Sequence, residues 1–222
     1  MASMLPFVQS ASTKDGRERV PVFVSLMQVG HALVWHGVVQ PHIDAAAEPR
    51  ADKGWDWRIL RTMFPLAEVL RRRRCYGYSV FALDRHNMVS AAPVGMVLLI
   101  ERYPYLANPS QDSTFVWFLS AAPAEALKSF DGIPLSLGGV LLDIAITTSI
   151  NTGTEGRIAL HCAPAGGPRL LKFYEKNGLA RLPEAIALPA PWENDGRYFH
   201  ADSTIAARLS AAYNPYREPW KG

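Results

Sequence analysis

Short apolar runs, separated by glycine, proline and asparagine, recur along the chain and predict the strands of a sheet. Residues 20–29 and 33–39 are rich in β-branched and aromatic side chains. Gly30 and His31 divide them, which indicates two strands or one bent strand. Three further runs follow one another closely along the chain: 78–83, 94–101 and 114–119. Consecutive short strands normally pair antiparallel, so we expect a meander.

Helical spacing of apolar residues appears in three segments. Residues 57–74 predict an amphipathic helix that Pro65 kinks or divides. Residues 134–150 predict a loop that leads into a buried helix. Residues 169–177 predict a helix that Gly178 ends in a left-handed conformation.

The C-terminal half adds further strands to this pattern. Residues 157–162 predict a strand before the last helix, and either 182–188 or 197–200 adds a closing strand. A meander followed by alternating strands and helices predicts an α/β fold. We expect a mixed, mostly antiparallel central sheet with helices on both faces.

Composition is consistent with this fold and narrows the class of protein. The 222 residues are 49% apolar, which supplies a large core, and a net charge of +3 is too small for a dedicated nucleic-acid binder.

Residues 20–39 contain several polar residues and helix breakers, so they predict buried strands and not a membrane span. We divide the chain into a flexible N-terminal arm, one domain and a C-terminal tail: 1–19, 20–205 and 206–222.

Cysteine usage and the N-terminus bear on the compartment. Cys75 and Cys162 are the only cysteines, which makes no disulfide framework and favours a reducing compartment. The first residues lack the basic-then-apolar order of a secretory signal. We therefore expect a cytoplasmic protein.

One segment carries a more specific signal. Residues 170–179 read LLKFYEKNGL, which resembles the C-terminal signature of the GNAT superfamily, the acetyl-CoA-dependent N-acetyltransferases. The order of predicted elements from 20 to 202 is also similar to that family, which implies a GNAT-like fold and acyl transfer to an amine by direct attack. The resemblance assigns Tyr174 as the general acid that protonates the departing thiolate. By residue type alone, Tyr174 also suits an amphipathic position in the core.

The resemblance implies acetyl-CoA as co-substrate, with its pyrophosphate at a glycine loop before the buried helix. Family members carry R/Q-x-x-G-x-G/A there, and the N–H groups of a helix N-terminus hold the anion. The corresponding residues here are Ser136, Leu137, Gly138 and Gly139. Ile133 stands where the family has Arg or Gln, and Ser136 replaces the first glycine as a candidate N-cap. A plain capped helix explains the same residues.

The resemblance also implies that one strand pairs its backbone with the pantetheine arm of the cofactor. That position falls to three residues: Leu119, Ser120 and Ala121. An insertion follows, with a short helix predicted at 124–130. Gly167 stands where the family often has Asn, and Arg169 is either a phosphate contact or a solvated charge.

The base that takes the amine proton has several candidates. His161 and Cys162 end the strand at 157–162, where alternation turns them to opposite faces. Histidine titrates near neutral pH, so His161 is a candidate proton relay, or a histidine hydrogen-bonded at a strand end. Cys162 is an alternative acyl-carrying nucleophile. Glu101 ends the strand at 94–101 and is either a base or a solvated charge.

Four consecutive arginines, 71–74, close the predicted helix pair and complement its C-terminal dipole. They form either a solvated helix end or a site for an acidic substrate, a tRNA backbone or an acidic partner. Trp55 and Trp57 beside them stack on a base or pack in the core.

Three functions follow from these residues. The first is acyl transfer to an amine of a small molecule or a protein, and the second is acyl transfer to tRNA or another macromolecular partner. The third is a GNAT-like scaffold whose degenerate cofactor loop leaves it an interaction or regulatory role. The sequence predicts neither a metal site nor a membrane partner, and it leaves the oligomeric state open, a homodimer included.

Overall fold

The computed structural model describes residues 7–13, 19–71, 73–83, 89–128, 135–188, 193–214 and 218–219. Its strands are β1 (Phe7–Thr13), β2 (Arg19–Leu26), β3 (Cys75–Ala82), β4 (Gly95–Tyr105), β5 (Asn108–Ala121), β6 (Leu135–Ser136), β7 (Ile158–His161), β8 (Ala180–Arg181), β9 (Tyr198–Ala201) and β10 (Glu218–Pro219). They form one sheet in the order β10-β1-β2-β3-β4-β5-β7-β9-β8, and β6 also pairs with β1. Only β5 and β7 pair in parallel among these strands, so the predicted mixed, mostly antiparallel sheet is confirmed.

The helices are α1 (Val29–Val34), a π-helix (Trp35–Val39), α2 (Gln40–Asp44), α3 (Trp57–Thr62), α4 (Phe64–Arg71), α5 (Ala124–Lys128), α6 (Gly138–Asn151), a 3₁₀ turn (Pro164–Gly166), α7 (Gly167–Lys176) and α8 (Ser203–Ala211). Within the described part of the chain, none of them combines the length and apolarity needed to cross a membrane.

Two adjacent residues of β3 show that helices cover both faces of the sheet. The Phe64 ring of α4 fills the space where a side chain at Gly77 would lie. The next residue, Tyr78, hydrogen-bonds Thr148 of α6. Successive residues of a strand point to opposite faces, so α4 and α6 lie on opposite sides, as predicted.

The predicted strand at 33–39 is wrong, because these residues are helical. Trp35, Val39 and Ile43 recur at every fourth position and are fully buried, whereas Leu33 is 53% exposed. The buried set therefore has the period of a helix. Apolar residues on the exposed side hide that period in the sequence.

The ends of the chain also differ from expectation. Residues 7–13 of the predicted arm form β1, which pairs with β2 along six residues. Because β1 pairs with it on one side and β3 on the other, the apolar strand β2 is not an edge strand. At the other end, α8 crosses the predicted boundary at 205, and β10 pairs with β1. Residues 1–6, 14–18, 215–217 and 220–222 lie outside the described residues, and the domain boundaries stay a prediction.

Several local predictions are confirmed. The helix at 57–74 divides at Met63, ahead of Pro65, into α3 and α4. Gly178 has a positive φ of 78° after α7, as a left-handed cap requires. Of the two candidate closing strands, 197–200 is confirmed as β9, whereas β8 ends at Arg181, before 182–188.

The buried helix α6 gives a direct test of the core. Leu141 is fully buried, and its side chain lies over Gly95 of β4. We expect Leu141→Ala to lower the free energy of unfolding by about 2–5 kcal/mol, because it leaves a cavity in a packed interior. Ile150→Ala, on the 51% exposed side of the same helix, is the matched control and should change it by less than about 0.5 kcal/mol. Urea denaturation of both variants measures the difference, and equal effects would contradict the assignment of α6 to the core.

Candidate active site

The parallel strands β5 and β7 separate within the sheet. They pair only between residues 114–116 and 158–160, although β5 continues to Ala121. On its other side, β5 has a register shift: Leu98 pairs with Phe118 and Leu99 with Val116, so Trp117 has no partner on β4. Such a bulge bends and twists the strand that carries it. We therefore attribute the splay between β5 and β7 to this bulge.

A cavity of about 990 Å³ lies at the splay. Its walls come from residues 45–52, from β5 and the end of β7, and from α7. Seven of the residues predicted for the site line it: Tyr174, His161, Leu119, Ser120, Ala121, Gly138 and Arg169. The lining does not include the other four, all described residues: Glu101, Ser136, Leu137 and Gly139.

Tyr174 approaches the cavity from the face that carries α6 and α7. It is 6% exposed, and its ring packs against Phe199 at a centroid distance of 5.5 Å. Burial is the main cause that raises the pKa of Tyr174 well above its ordinary value, and the charges of Cys162 and Asp52 add to it. The hydroxyl therefore keeps its proton throughout the physiological range.

His161 lies on the opposite face of the sheet. In the pairing of β7 with β9, His161 lies opposite Tyr198. The neighbouring pair, Leu160 and Phe199, points to the other face of the sheet, where Phe199 contacts Tyr174. Its Nε2 lies 3.0 Å from Oδ2 of Asp195. A proton on Nε2 donates to this carboxylate, and Nδ1 is then the nitrogen with a free electron pair.

Asp195 was not a candidate in the sequence. It lies in an Asn-Asp-Gly turn, and its carboxylate also accepts a hydrogen bond from the Arg197 N–H at 3.0 Å. Burial raises the pKa of Asp195, but the hydrogen bonds from His161 and the Arg197 backbone outweigh it, so the net pKa is lowered. The turn residues gave the only signal, and a turn alone does not indicate a partner for His161.

The other two candidates for proton or acyl transfer, both described residues, are not part of the cavity lining. Glu101 accepts a hydrogen bond from the Tyr76 hydroxyl at 3.3 Å and lies 3.9 Å from Nε of Arg74. Cys162 is fully buried, and burial raises the pKa of its thiol, which the Arg197 guanidinium opposes only in part. Neither arrangement favours a base or a nucleophile that meets substrate.

The backbone of β5 offers hydrogen-bonding groups to the splay. Ala122 N–H donates to Val94 O at 2.9 Å, toward β4. Alternation then turns the backbone groups of Ala121 and Leu119 toward the splay. The Ala121 carbonyl already accepts a hydrogen bond from Arg50 at 2.8 Å. This leaves Leu119 as the residue best placed to pair with an extended ligand.

Sequence reasoning missed Arg50 and Asp52, which lie in the loop between α2 and α3. Asp52 is 5% exposed and receives two hydrogen bonds from Arg50, at 2.8 and 2.6 Å. Ser120 Oγ donates to the same carboxylate at 2.5 Å. The loop is thereby fixed to the end of β5 at the mouth of the splay. Its Ala- and Pro-rich composition gave no signal for this role.

The N-terminus of α6 differs from the expected phosphate site. Ser136 lies in β6, so Leu137 and not Ser136 occupies the N-cap position, with no side-chain cap. The space that a side chain at Gly138 would need is filled by the Phe173 ring. The Tyr213 hydroxyl fills the corresponding space at Gly139.

The described arginines near the site already have acidic or aromatic partners. Arg169 forms an exposed ion pair with Glu48. Arg73 lies over the Tyr103 ring at 5.4 Å, and Arg74 lies near Glu101. These contacts favour a helix end over a binding site for an acidic ligand as the role of the arginine run. Arg72 lies outside the described residues. Trp55 and Trp57 pack together at 6.0 Å, and Trp57 is fully buried, as expected of core residues.

Comparison with known proteins identifies the fold. No protein-family model and no curated protein matches the chain. A GNAT-family acetyltransferase from Staphylococcus aureus Mu50 is similar, with a TM-score of 0.50, 13% identity, and coverage of 82% of this chain and 99% of that chain. An acetyltransferase from Streptococcus agalactiae 2603 has a TM-score of 0.48 and 13% identity, and the match covers 81% of this chain and 95% of that chain. A spermidine N-acetyltransferase from Vibrio cholerae, solved with CoA and spermine, has a TM-score of 0.46 and 16% identity, and the match covers 83% of this chain and 97% of that chain. The first likeness confirms the GNAT fold that the resemblance implied.

Proposed function

We propose that this chain of GNAT fold is an N-acyltransferase that moves an acyl group from a coenzyme A thioester to an amine. One observation carries the proposal. The cavity at the splay of β5 and β7 is bordered by Tyr174 on one face of the sheet and by His161 on the other. A thioester held in the splay then has a hydrogen-bond donor on its sulfur side and a base on its opposite side.

The splay orients the thioester through its backbone edge. An extended arm adds to β5 as a strand would, with Leu119 N–H and C=O as its partners. This places the carbonyl carbon between the two faces of the sheet. An amine that enters from the face of His161 reaches the carbon directly, and orientation of this kind removes much of the entropic barrier.

His161 is the proposed base. The amine nitrogen attacks the carbonyl carbon as the carbon–sulfur bond breaks, and Nδ1 of His161 takes the proton that nitrogen loses. Asp195 holds the ring in the tautomer that leaves Nδ1 free and stabilises the charge that the ring acquires. The proton passes from His161 to solvent, and the ring returns to its neutral form.

Tyr174 is the proposed donor to the departing sulfur. Because burial raises its pKa, Tyr174 holds its proton more firmly than a thiol does. It therefore stabilises the thiolate mainly by donating a hydrogen bond, and solvent completes the protonation of sulfur. The products are an amide and a free thiol.

Aromatic side chains line the part of the cavity on the acceptor face. Tyr103, Phe115, Trp117 and Tyr198 lie there, and Tyr103 and Phe115 are 4.7 Å apart between ring centroids. Aromatic faces attract cationic amines and bury apolar groups. We expect the acceptor to be an amine attached to an apolar or aromatic body.

Binding and turnover of acetyl-CoA test this function together. With free acetyl-CoA at about 100 times its Kd, stabilisation is about 2.7 kcal/mol, which raises Tm by roughly 5–10 °C. A thiol-release assay with a panel of aromatic and aliphatic amines should show release above the rate with no amine. If acetyl-CoA at millimolar concentration does not raise Tm and no amine increases thiol release, the proposal is wrong.

A second candidate function has its own observation. Phe173 and Tyr213 pack against Gly138 and Gly139, and Arg50 donates to the Ala121 carbonyl, in the segment that the resemblance assigns to the pantetheine arm. These contacts favour a GNAT-like scaffold with an interaction or regulatory role. The same experiment separates the two candidates, because the scaffold alone predicts no donor binding and no thiol release.

A further inference from the structure

We infer that the donor is recognised through its acylated pantetheine arm, and that its nucleotide part contributes nothing to binding. This inference rests on the proposed function and specifies the substrate that its site reads. Coenzyme A consists of a neutral thiol-bearing arm and a highly charged nucleotide with three phosphate groups. The structure treats these two parts differently.

The first observation concerns the glycines at the start of α6. A phosphate must come within hydrogen-bond distance of the first backbone N–H groups of a helix to benefit from them. Glycines allow that approach because they have no side chain. Here the Phe173 ring occupies the space over Gly138, and the Tyr213 hydroxyl occupies the space over Gly139. These two glycines therefore make room for aromatic side chains that pack against the helix, which accounts for them without a phosphate.

The second observation concerns charge and is independent of the first. The described lining of the cavity carries three carboxylates and two guanidinium groups: Glu48, Asp52, Glu125, Arg50 and Arg169. Asp52 pairs with Arg50, and Glu48 pairs with Arg169. With histidines neutral, the described residues of the lining carry a net charge of −1. Such a surface does not attract a group that carries several negative charges.

The third observation is that the neutral arm has a place to bind. Leu119 turns its backbone groups toward the splay, and Val116, Leu160 and Leu170 supply apolar wall. An arm with amide groups pairs with such an edge and needs no charged partner. The nucleotide would remain in solvent at the mouth of the cavity.

Comparison of three compounds tests the inference. We expect kcat/KM for S-acetylpantetheine to lie within about threefold of that for acetyl-CoA, and 3′,5′-ADP at millimolar concentration to leave the rate unchanged. A preference for acetyl-CoA of more than about threefold, or competitive inhibition by 3′,5′-ADP, would overturn it. If neither thioester reacts or binds, the proposed acyltransferase function itself is wrong. A preference for acetyl-CoA contradicts only the present inference, so the two failures are distinguishable.

A variant at the helix provides a second readout. Tyr213→Ala removes the group over Gly139, and Leu209→Ala on α8 is the control for lost packing near it. Relative to that control, we expect Tyr213→Ala to leave kcat/KM for acetyl-CoA at or above its original value. A selective fall for acetyl-CoA, with S-acetylpantetheine unchanged, would show that Tyr213 contacts the nucleotide and would contradict the inference.

Discussion

We expect His161→Gln to lower kcat/KM for acyl transfer by about 10²–10⁴-fold, because the proposed mechanism gives His161 the nitrogen that takes the amine proton. Glutamine keeps much of the size of the side chain, so donor binding, followed by the rise in Tm, should not change. His42→Gln is the matched control, since His42 also lines the cavity but lies outside the strand pair β7–β9. An equal loss in both variants, or full activity of His161→Gln, would contradict the base assignment.

Asp195→Asn extends this prediction to the partner of His161. The amide keeps the size of the side chain but removes the carboxylate that accepts from Nε2, so we expect kcat/KM to fall while donor binding, followed by the rise in Tm, does not change. Activity of Asp195→Asn equal to that of the original protein would contradict this role.

The same carboxylate makes a prediction for stability. Its folded pKa is lowered, so Asp195 stabilises the fold above its ordinary pKa of about 3.9, and this contribution is lost as pH falls through the folded value. Wild-type protein should therefore be more stable than Asp195→Asn near neutral pH, with the difference disappearing in acid. Asp195 is partly exposed, which keeps the effect small.

The second large effect is expected at Tyr174. Tyr174→Phe should lower kcat by about 10²-fold with little change in KM, because the hydroxyl acts on sulfur only as the carbon–sulfur bond breaks. The ring and its packing against Phe199 are kept. A donor with a better leaving thiol, such as a thiophenyl ester, should restore part of the lost rate.

Tyr105→Phe is the control for this substitution. Tyr105 donates to or accepts from His200 at 2.7 Å and lies outside the cavity lining among the described residues. Its loss of a hydroxyl should leave kcat within about threefold. Wild-type turnover by Tyr174→Phe would show that the tyrosine is a core residue, as its residue type alone also permits.

Much of the local structure was predictable from the sequence. The segment 170–179 has the spacing of an amphipathic helix with a glycine after it, and α7 and Gly178 form accordingly. The three runs that form β3, β4 and β5 are short and bounded by turn residues, and they pair as the expected meander. The failure at 33–39 arose because both sides of that helix carry apolar residues.

The site was less predictable because its contacts join distant parts of the chain. Asp195 is 34 residues from His161, and Asp52 is 68 residues from Ser120. No periodicity links residues at such separations. Phe173 and Tyr213 likewise read as ordinary aromatic residues, and only the packed structure places them over Gly138 and Gly139.

The sequence by itself determined the strands β7 and β9, the helices α6 and α7, the position of Tyr174 on α7 and the presence of His161 at a strand end. These follow from hydrophobic period and turn chemistry, which act between near neighbours. The tertiary structure decided that His161 has Asp195 beside it, that Arg50 holds the end of β5, and that Phe173 and Tyr213 pack against Gly138 and Gly139. Those contacts depend on which distant parts of the chain meet when it packs, so the sequence around each residue does not indicate them.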